Sequence, residues 1–265
     1  MTPRKKPADQ PSLFSTPAKR TRHIEKPSTF REAIASRRSS KPKTTMANIG
    51  DKRLWLSATA MENMNRCPRC FWLEKHEGIR QPEGIVSRLA NRFDAVIKRY
   101  FDLYRPAGEL PPMIAGKVEG KLQYPFQEKY WYNVDSHYGY YGKLDECLVN
   151  NGKYTPVDHK TASSDPATRE LIPAYQFQLD SYAFLLEQNA RPTTGVGHLI
   201  YFFPGHGNKL HEGFPMEITI KTLKTDPGRV LPRIKQAIAL LEGPLPPSAP
   251  ECPFCAYLDR IKAAT

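Results

Sequence analysis

Long apolar runs are missing from this 265-residue sequence. None approaches the roughly 20 residues that a membrane-spanning helix needs, and no apolar block of the secretory kind stands near Met1. The expectation is a soluble, cytoplasmic protein in a reducing compartment, with no membrane among its partners. Also absent are an internal repeat, a Gly-x-Ser-x-Gly elbow and a Walker-type phosphate loop, which removes solenoids, serine hydrolases of the elbow type and P-loop NTPases. Cysteine is scarce, with five residues, and acidic residues are in deficit, 27 against 39 Lys plus Arg, for a formal charge of +12.

That charge is unevenly spread. Residues 1–50 hold 12 basic and 3 acidic side chains, so the rest of the chain carries 27 and 24 and is close to balanced. The same segment strings Pro3, Pro7, Pro11, Pro17, Pro27 and Pro42 among Ser, Thr, Lys and Arg without a sustained apolar period. It is predicted to be a disordered basic tail. Three uses remain open: an electrostatic arm that gathers polyanions, a solubilising terminus, or an organelle-targeting presequence.

From Leu54 the pattern becomes globular. Ser57 can cap a helix that runs through Met61 and Met64 towards Trp72, interrupted near Cys67-Pro68-Arg69-Cys70. Leu89, Phe93, Val96, Ile97, Tyr100 and Phe101 recur at three- and four-residue intervals, which predicts an amphipathic helix over about 86–104. Short β-branched and aromatic runs between Gly120 and Thr161 predict antiparallel strands, and Pro156 within them implies an edge or a bulge. A helix over about 173–188, strands near 196–203 and 214–220, and a helix over about 227–241 complete the order. This order predicts one α/β domain over 51–265, with a mixed central sheet flanked by helices. His198, His206 and His211 have no ligand spacing and read as surface or loop residues, and Gly205-His206-Gly207-Asn208 reads as a turn.

The most informative stretch is Gly142 to Thr161. Asn151-Gly152 is a strong two-residue hairpin signal, because a type I′ turn needs positive φ at both central positions. Directly opposed residues then have numbers summing to 303, which places Asp145 opposite Asp158. Opposed like charges are normally destabilising, so the pair asks for a compensating cation. Alternation puts Asp158 and Lys160 on one face and turns His159 away. Two carboxylates and an ammonium suit a hard divalent cation with a phosphate bound to it. The competing reading is a half-exposed hairpin with charges on its wet face.

These residues resemble the PD-(D/E)XK nuclease superfamily, in particular its RecB-like branch, which includes the CRISPR-associated and RecB-family exonucleases with a cysteine-bound iron–sulfur cluster. Gly142-Lys143-Leu144-Asp145 matches the Gly-x-x-Asp strand, and Asp158-His159-Lys160 the Asp/Glu-x-Lys strand. Gln178-Leu179-Asp180-Ser181-Tyr182 matches the Gln-x-x-x-Tyr helix. The resemblance spans about Trp55 to Cys255. It implies a restriction-endonuclease-like α/β core and metal-dependent hydrolysis of DNA, with exonuclease action favoured and DNA repair as a setting. Asp145 and Asp158 would bind Mg²⁺ or Mn²⁺, Lys160 would support the transition state, and Gln178 and Tyr182 would shape the substrate side. The early helix departs from the family. Where a His and a Glu four residues later are usual, Asn91-Arg92-Phe93-Asp94 and Lys98 stand here. Asp94 is either a replacement metal ligand or an ordinary surface acid. The departure motivates a second hypothesis, a nuclease-fold protein that binds nucleic acid without cutting it.

Cys67-x-x-Cys70 and Cys252-x-x-Cys255 are two metal-type pairs, and Cys147 reads as packing. Four thiolates suit Zn²⁺ or an iron–sulfur cluster, and spacing does not separate the two. The resemblance favours 4Fe-4S, although relatives of that kind place one cysteine early and three late. Either centre would staple a loop of about 180 residues, a structural rather than redox-catalytic role. A third hypothesis, a zinc-stapled adaptor working through its basic tail, follows from the same pairs. Nothing in the sequence specifies a protein partner.

Overall fold

The computed structural model describes residues 52–82, 85–207, 213 and 215–264, without the side chains of 85–88. The tail reading of 1–50, with Val86, Asn208, His211 and Phe214, therefore lies outside the described residues or side chains.

The predicted interrupted helix is two helices. Ser57 accepts a hydrogen bond from the Ala60 amide and starts α1 (Ala58–Arg66), and Cys67 ends it in extended conformation. Pro68 then opens α2 (Pro68–His76), as suits a residue with no amide N–H to lose in a first turn. Helix α3 (Ile85–Tyr104) follows. Its buried stripe is narrower than the periodicity predicts: Ile97 and Phe101 are buried, whereas Leu89 and Val96 are exposed.

The strand region differs from a simple meander. A three-stranded sheet joins β1 (Leu54–Leu56) in parallel to β4 (Tyr138–Lys143), which pairs antiparallel with β3 (Lys129–Asn133). A five-stranded mixed sheet has the order β2 (Lys121–Leu122), β5 (Glu146–Asn150), β6 (Lys153–Thr161), β7 (Val196–Pro204), β8 (Met216–Lys224). The chain leaves one sheet for the other at Leu144-Asp145, after the Leu144 amide donates to the Glu128 carbonyl. Asn151 and Gly152 take φ of 48° and 75°, as a type I′ turn requires. The register Asn150↔Lys153 to Glu146↔Val157 is the expected one. It stops there, so Asp145 sits on the bend just beyond the ladder.

Pro156 is neither at an edge nor in a bulge, because β6 is the central strand and Pro156 pairs in register with Cys147. The Tyr154 amide points to the Pro192 carbonyl, on the β7 side, and alternation turns the Pro156 nitrogen the same way. The parallel ladder with β7 begins one residue later, at Val157↔His198, so no ladder hydrogen bond is lost.

Helix α4 (Pro173–Gln188) is the crossover that makes β6 and β7 parallel. Helices α5 (Val230–Glu242) and α6 (Pro253–Ala264) complete the described chain. Leu179, Tyr182, Leu185 and Leu186 of α4 pack with Leu199 and Tyr201 of β7 and with residues of α1 and α5. On the other face Ile97 and Phe101 of α3 pack with Leu148, Val157, Ile200 and Phe202. The five-stranded sheet is thus covered by helices on both faces, and β6 is buried from Thr155 through His159. Gly142 lets α4 approach β4: a Cβ there would stand 2.6 Å from Leu185 Cδ1. The glycine of the Gly-x-x-Asp pattern is therefore a packing residue. Among the described residues no helix is long and apolar enough to cross a membrane.

Candidate active site

Near the carboxyl end of β6 a cleft of about 290 Å³ opens between α3 and α4. Asp94, Asp145, Asp158, Lys160 and Gln178 line it, together with His159 and Tyr175. Five of the six predicted catalytic residues therefore meet in one hollow. The sixth, Tyr182, lies beneath it with its hydroxyl 3.4 Å from Asp158 Oδ1. Ligand crevices at the carboxyl ends of strands are usual in α/β sheets.

Asp158 and Lys160 share the α4 side of β6. The Asp158 side chain is 1% exposed, which removes the wet-face reading of the hairpin. Lys160 Nζ stands 2.6 Å from Asp158 Oδ2 and 2.7 Å from Gln178 Oε1, and 4.2 Å above the centre of the Tyr175 ring. Because Gln178 accepts from Lys160, its amide nitrogen is left to donate to the Tyr182 hydroxyl at 2.7 Å. That hydroxyl reaches the Lys143 carbonyl at 3.0 Å. The i, i+4 spacing of Gln178 and Tyr182 thus builds a rod that holds the ammonium in place.

The α3 side is arranged differently. Lys98 Nζ bridges Asp145 Oδ1 at 2.7 Å and Asp94 Oδ2 at 2.9 Å. The other oxygen of Asp145 accepts the His159 backbone N–H at 3.0 Å, which ties the bend residue to β6 where the ladder has stopped. Burial opposes ionisation of Asp145, yet Lys98 and His159 outweigh it and hold the carboxyl below its usual range. For Asp158, burial and the neighbouring Asp145 charge prevail over Lys160 and push the carboxyl up.

Three carboxyl groups and two ammonium groups meet here, and Asp158 has little water. The donors that converge within 4.8 Å of one another are carboxylate oxygens of Asp94 and Asp145 and a ring nitrogen of His159, a set that fits a divalent cation, while Asp158 adjoins this group and is held by Lys160. The Lys98 ammonium stands where a cation between Asp94 and Asp145 would stand.

His159 is the residue that alternation set aside. Its ring does pack against Phe101, with centroids 4.6 Å apart, and against Phe202. Even so, a ring nitrogen comes within 4.8 Å of carboxylate oxygens of Asp94 and Asp145, and neither ring nitrogen has a hydrogen-bond partner. Burial lowers its pKa to about 4, so the imidazole is neutral and can offer a lone pair. Sequence alternation gave the correct side for the ring, but not the bend that brings Asp145 round to it.

Residues 139–260 match the model of the PD-(D/E)XK nuclease superfamily. These residues belong to that superfamily. The PD-(D/E)XK segment holds Asp145, Asp158, Lys160, Gln178, Tyr182 and the second cysteine pair, while Asp94, Lys98 and the first pair precede it. Among solved structures, the protein SSO0001 is 16% identical, covers 81% of this chain and 85% of its own, and has a TM-score of 0.45. An alkaline exonuclease from Laribacter hongkongensis is 12% identical, covering 88% and 98%, with a TM-score of 0.40. The same exonuclease in complex with dAMP is 10% identical, covering 79% and 93%, with a TM-score of 0.38. No curated protein matches this chain.

Away from the cleft, Cys67, Cys70, Cys252 and Cys255 converge, whereas Cys147 is buried alone in the core. His198 is buried and bonds Thr222 Oγ1 at 2.9 Å, and His206 is exposed; neither approaches a site. Glu146 and Arg105, unmarked in the sequence, form a buried two-pronged ion pair at 2.8 and 2.5 Å behind the hairpin.

Proposed function

We propose that this protein is a metal-dependent deoxyribonuclease of the RecB-like kind, hydrolysing phosphodiester bonds, with exonuclease action favoured and DNA repair as its setting. The observation that supports this most is the buried Asp158–Lys160–Gln178–Tyr182 chain beside Asp145. The chain holds an ammonium beside a buried carboxylate where Lys160 also lines the cleft. Asp145 and Asp158, with Asp94 and a lone pair from His159, would hold Mg²⁺ or Mn²⁺. The bound ion would supply Lewis acidity and an activated water. Lys160, fixed by Gln178 and Tyr175, faces the charge that develops on the phosphate, and preorganised cations of this kind are the larger part of such catalysis. The basic segment 1–50, outside the described residues, would act as an arm that draws in the polyanion.

The test is cleavage of labelled linear and circular DNA with Mg²⁺ or Mn²⁺, alongside Lys160→Ala. Cleavage by the wild type and none by the variant is expected, with linear DNA consumed first. Equal cleavage by both proteins removes Lys160 from the mechanism. A second reading, a nuclease-fold protein that binds DNA without cutting it, is favoured by the Lys98 bridge on Asp94 and Asp145. DNA binding without cleavage under any divalent ion would decide for it.

A further inference from the structure

The four clustered cysteines come from two matching pieces of chain. Cys67 immediately precedes α2, Pro68 begins that helix and Cys70 lies in its first turn. Cys252 immediately precedes α6, Pro253 begins it and Cys255 lies in its first turn. Two helix N-termini, each with one thiol before the helix and one inside it, are thus turned towards each other. The positive end of a helix favours the thiolate form, and metal ligation requires it.

The sulfurs are free thiols in mutual contact. Cys70 Sγ lies 3.5 Å from Cys255 Sγ and 3.6 Å from Cys252 Sγ, and Cys67 Sγ lies 3.8 Å from Cys255 Sγ. All four sulfurs fall within 4.8 Å of one another. The Ala249 amide donates to Cys67 Sγ at 3.4 Å, an N–H···S contact of the kind that supports a ligating thiolate. Cys67, Cys252 and Cys255 are buried, packed with Cys70 and Ala249 in a small cluster of their own.

These distances separate the two centres that spacing left open. Four thiolates bound tetrahedrally to one ion, each about 2.3 Å from it, stand about 3.8 Å apart, because the edge of a tetrahedron is about 1.6 times its radius. Three of the six sulfur pairs stand at or just below that edge length, and all six lie within 4.8 Å. In a four-iron cluster each thiolate binds a different iron, at the corners of an iron–sulfide cube, so the sulfurs are held apart beyond contact by the inorganic core. Sulfurs touching one another leave no room for it. The residues do not fit the 4Fe-4S centre implied by the resemblance, and the even division of the thiols, two early and two late, goes with the same departure.

We propose that Cys67, Cys70, Cys252 and Cys255 bind one Zn²⁺ ion in a closed tetrahedral site that ties the start of the described domain to its end. Four thiolates and no open position make the site structural. It does not rest on the nuclease reading: a protein that never cuts DNA would need the staple equally.

The test uses full-length protein purified without oxygen from cells supplied with both iron and zinc, so that neither centre is lost or starved. Metal and acid-labile sulfide are measured per chain, and the visible spectrum is recorded. One zinc per chain, no sulfide and a colourless sample are expected. Replacement by cobalt(II) should then give the intense visible bands of a tetrahedral tetrathiolate site. Four irons with sulfide and a brown absorbance would overturn the proposal, as would a single iron, or no bound metal in folded protein. Cys255→Ser should lower bound zinc from one per chain to near zero. Should that variant fail to fold, competition on wild-type protein with a chromophoric zinc chelator gives the same readout. Release of one zinc with loss of thermal stability supports the staple, and release with an unchanged melting curve contradicts it.

Discussion

The two walls of the cleft are built to different standards. On the β6 and α4 wall, Asp158 is 1% exposed, Lys160 has three neighbours that fix it, and Gln178 and Tyr182 complete the set. On the α3 wall, Asp94 is 40% exposed, and one ammonium, Lys98, satisfies it together with Asp145. The first wall is preorganised and has little freedom to respond to a ligand. The second is held by an ion pair that a metal would have to displace. On the proposed function, chemistry that depends on position would belong to the first wall, and the ease of metal loading to the second.

Substitutions can separate these roles, beginning with the largest effect. Lys160→Ala should lower the rate constant of cleavage by about 10²–10³-fold or more, the range seen when one preorganised stabilising group is removed, with little change in melting temperature. Single-turnover kinetics on labelled DNA measure it. Gln178→Ala leaves the ammonium in place but unbraced, and about 10- to 100-fold is expected, as for other supporting groups around a charged site. A Gln178→Ala rate equal to that of the wild type would mean that Asp158 and Tyr175 suffice to hold Lys160. On the other wall, Lys98→Ala should lower the divalent-ion concentration needed for half-maximal binding, because a competing cation is gone; isothermal titration reads this. A raised requirement would instead make Lys98 part of the site.

The smallest expected effect tests the scaffold. Gly142→Ala puts a methyl 2.6 Å from Leu185 Cδ1 and should cost about 1–3 kcal/mol by overpacking, measured by denaturant unfolding. Cleavage should survive at temperatures where the variant is folded.

The better-built wall is also the one that was legible in the sequence. Asn151-Gly152 defined the turn and the hairpin register, and alternation along β6 brings Asp158 and Lys160 to one face. The Gln178 and Tyr182 spacing placed two side chains on one stripe of a helix whose limits, Pro173 to Gln188, were visible from composition. These are local rules, complete within some 20 residues of chain. What was not legible depends on contacts between distant segments. The β1 strand pairs with β4 more than 80 residues away, and this pairing draws the meander into two sheets. The bend that follows takes Asp145 off the ladder and towards Lys98 and the His159 amide. Nor does any short-range pattern mark Arg105 and Glu146 as partners across 41 residues. Helix α6 was missed because Tyr257, Leu258 and Ile261 remain exposed, so its apolar residues mark no buried face.

The measurement that bears most directly on the cleft as a metal-dependent nuclease site is single-turnover DNA cleavage across a range of Mn²⁺ concentrations, by wild-type protein and by Asp145→Asn. The wild-type rate should rise with Mn²⁺ and saturate, while the variant stays near zero at every concentration with its fold unchanged. Superimposable curves for the two proteins, or no cleavage by the folded wild type at any Mn²⁺ concentration, would contradict the assignment.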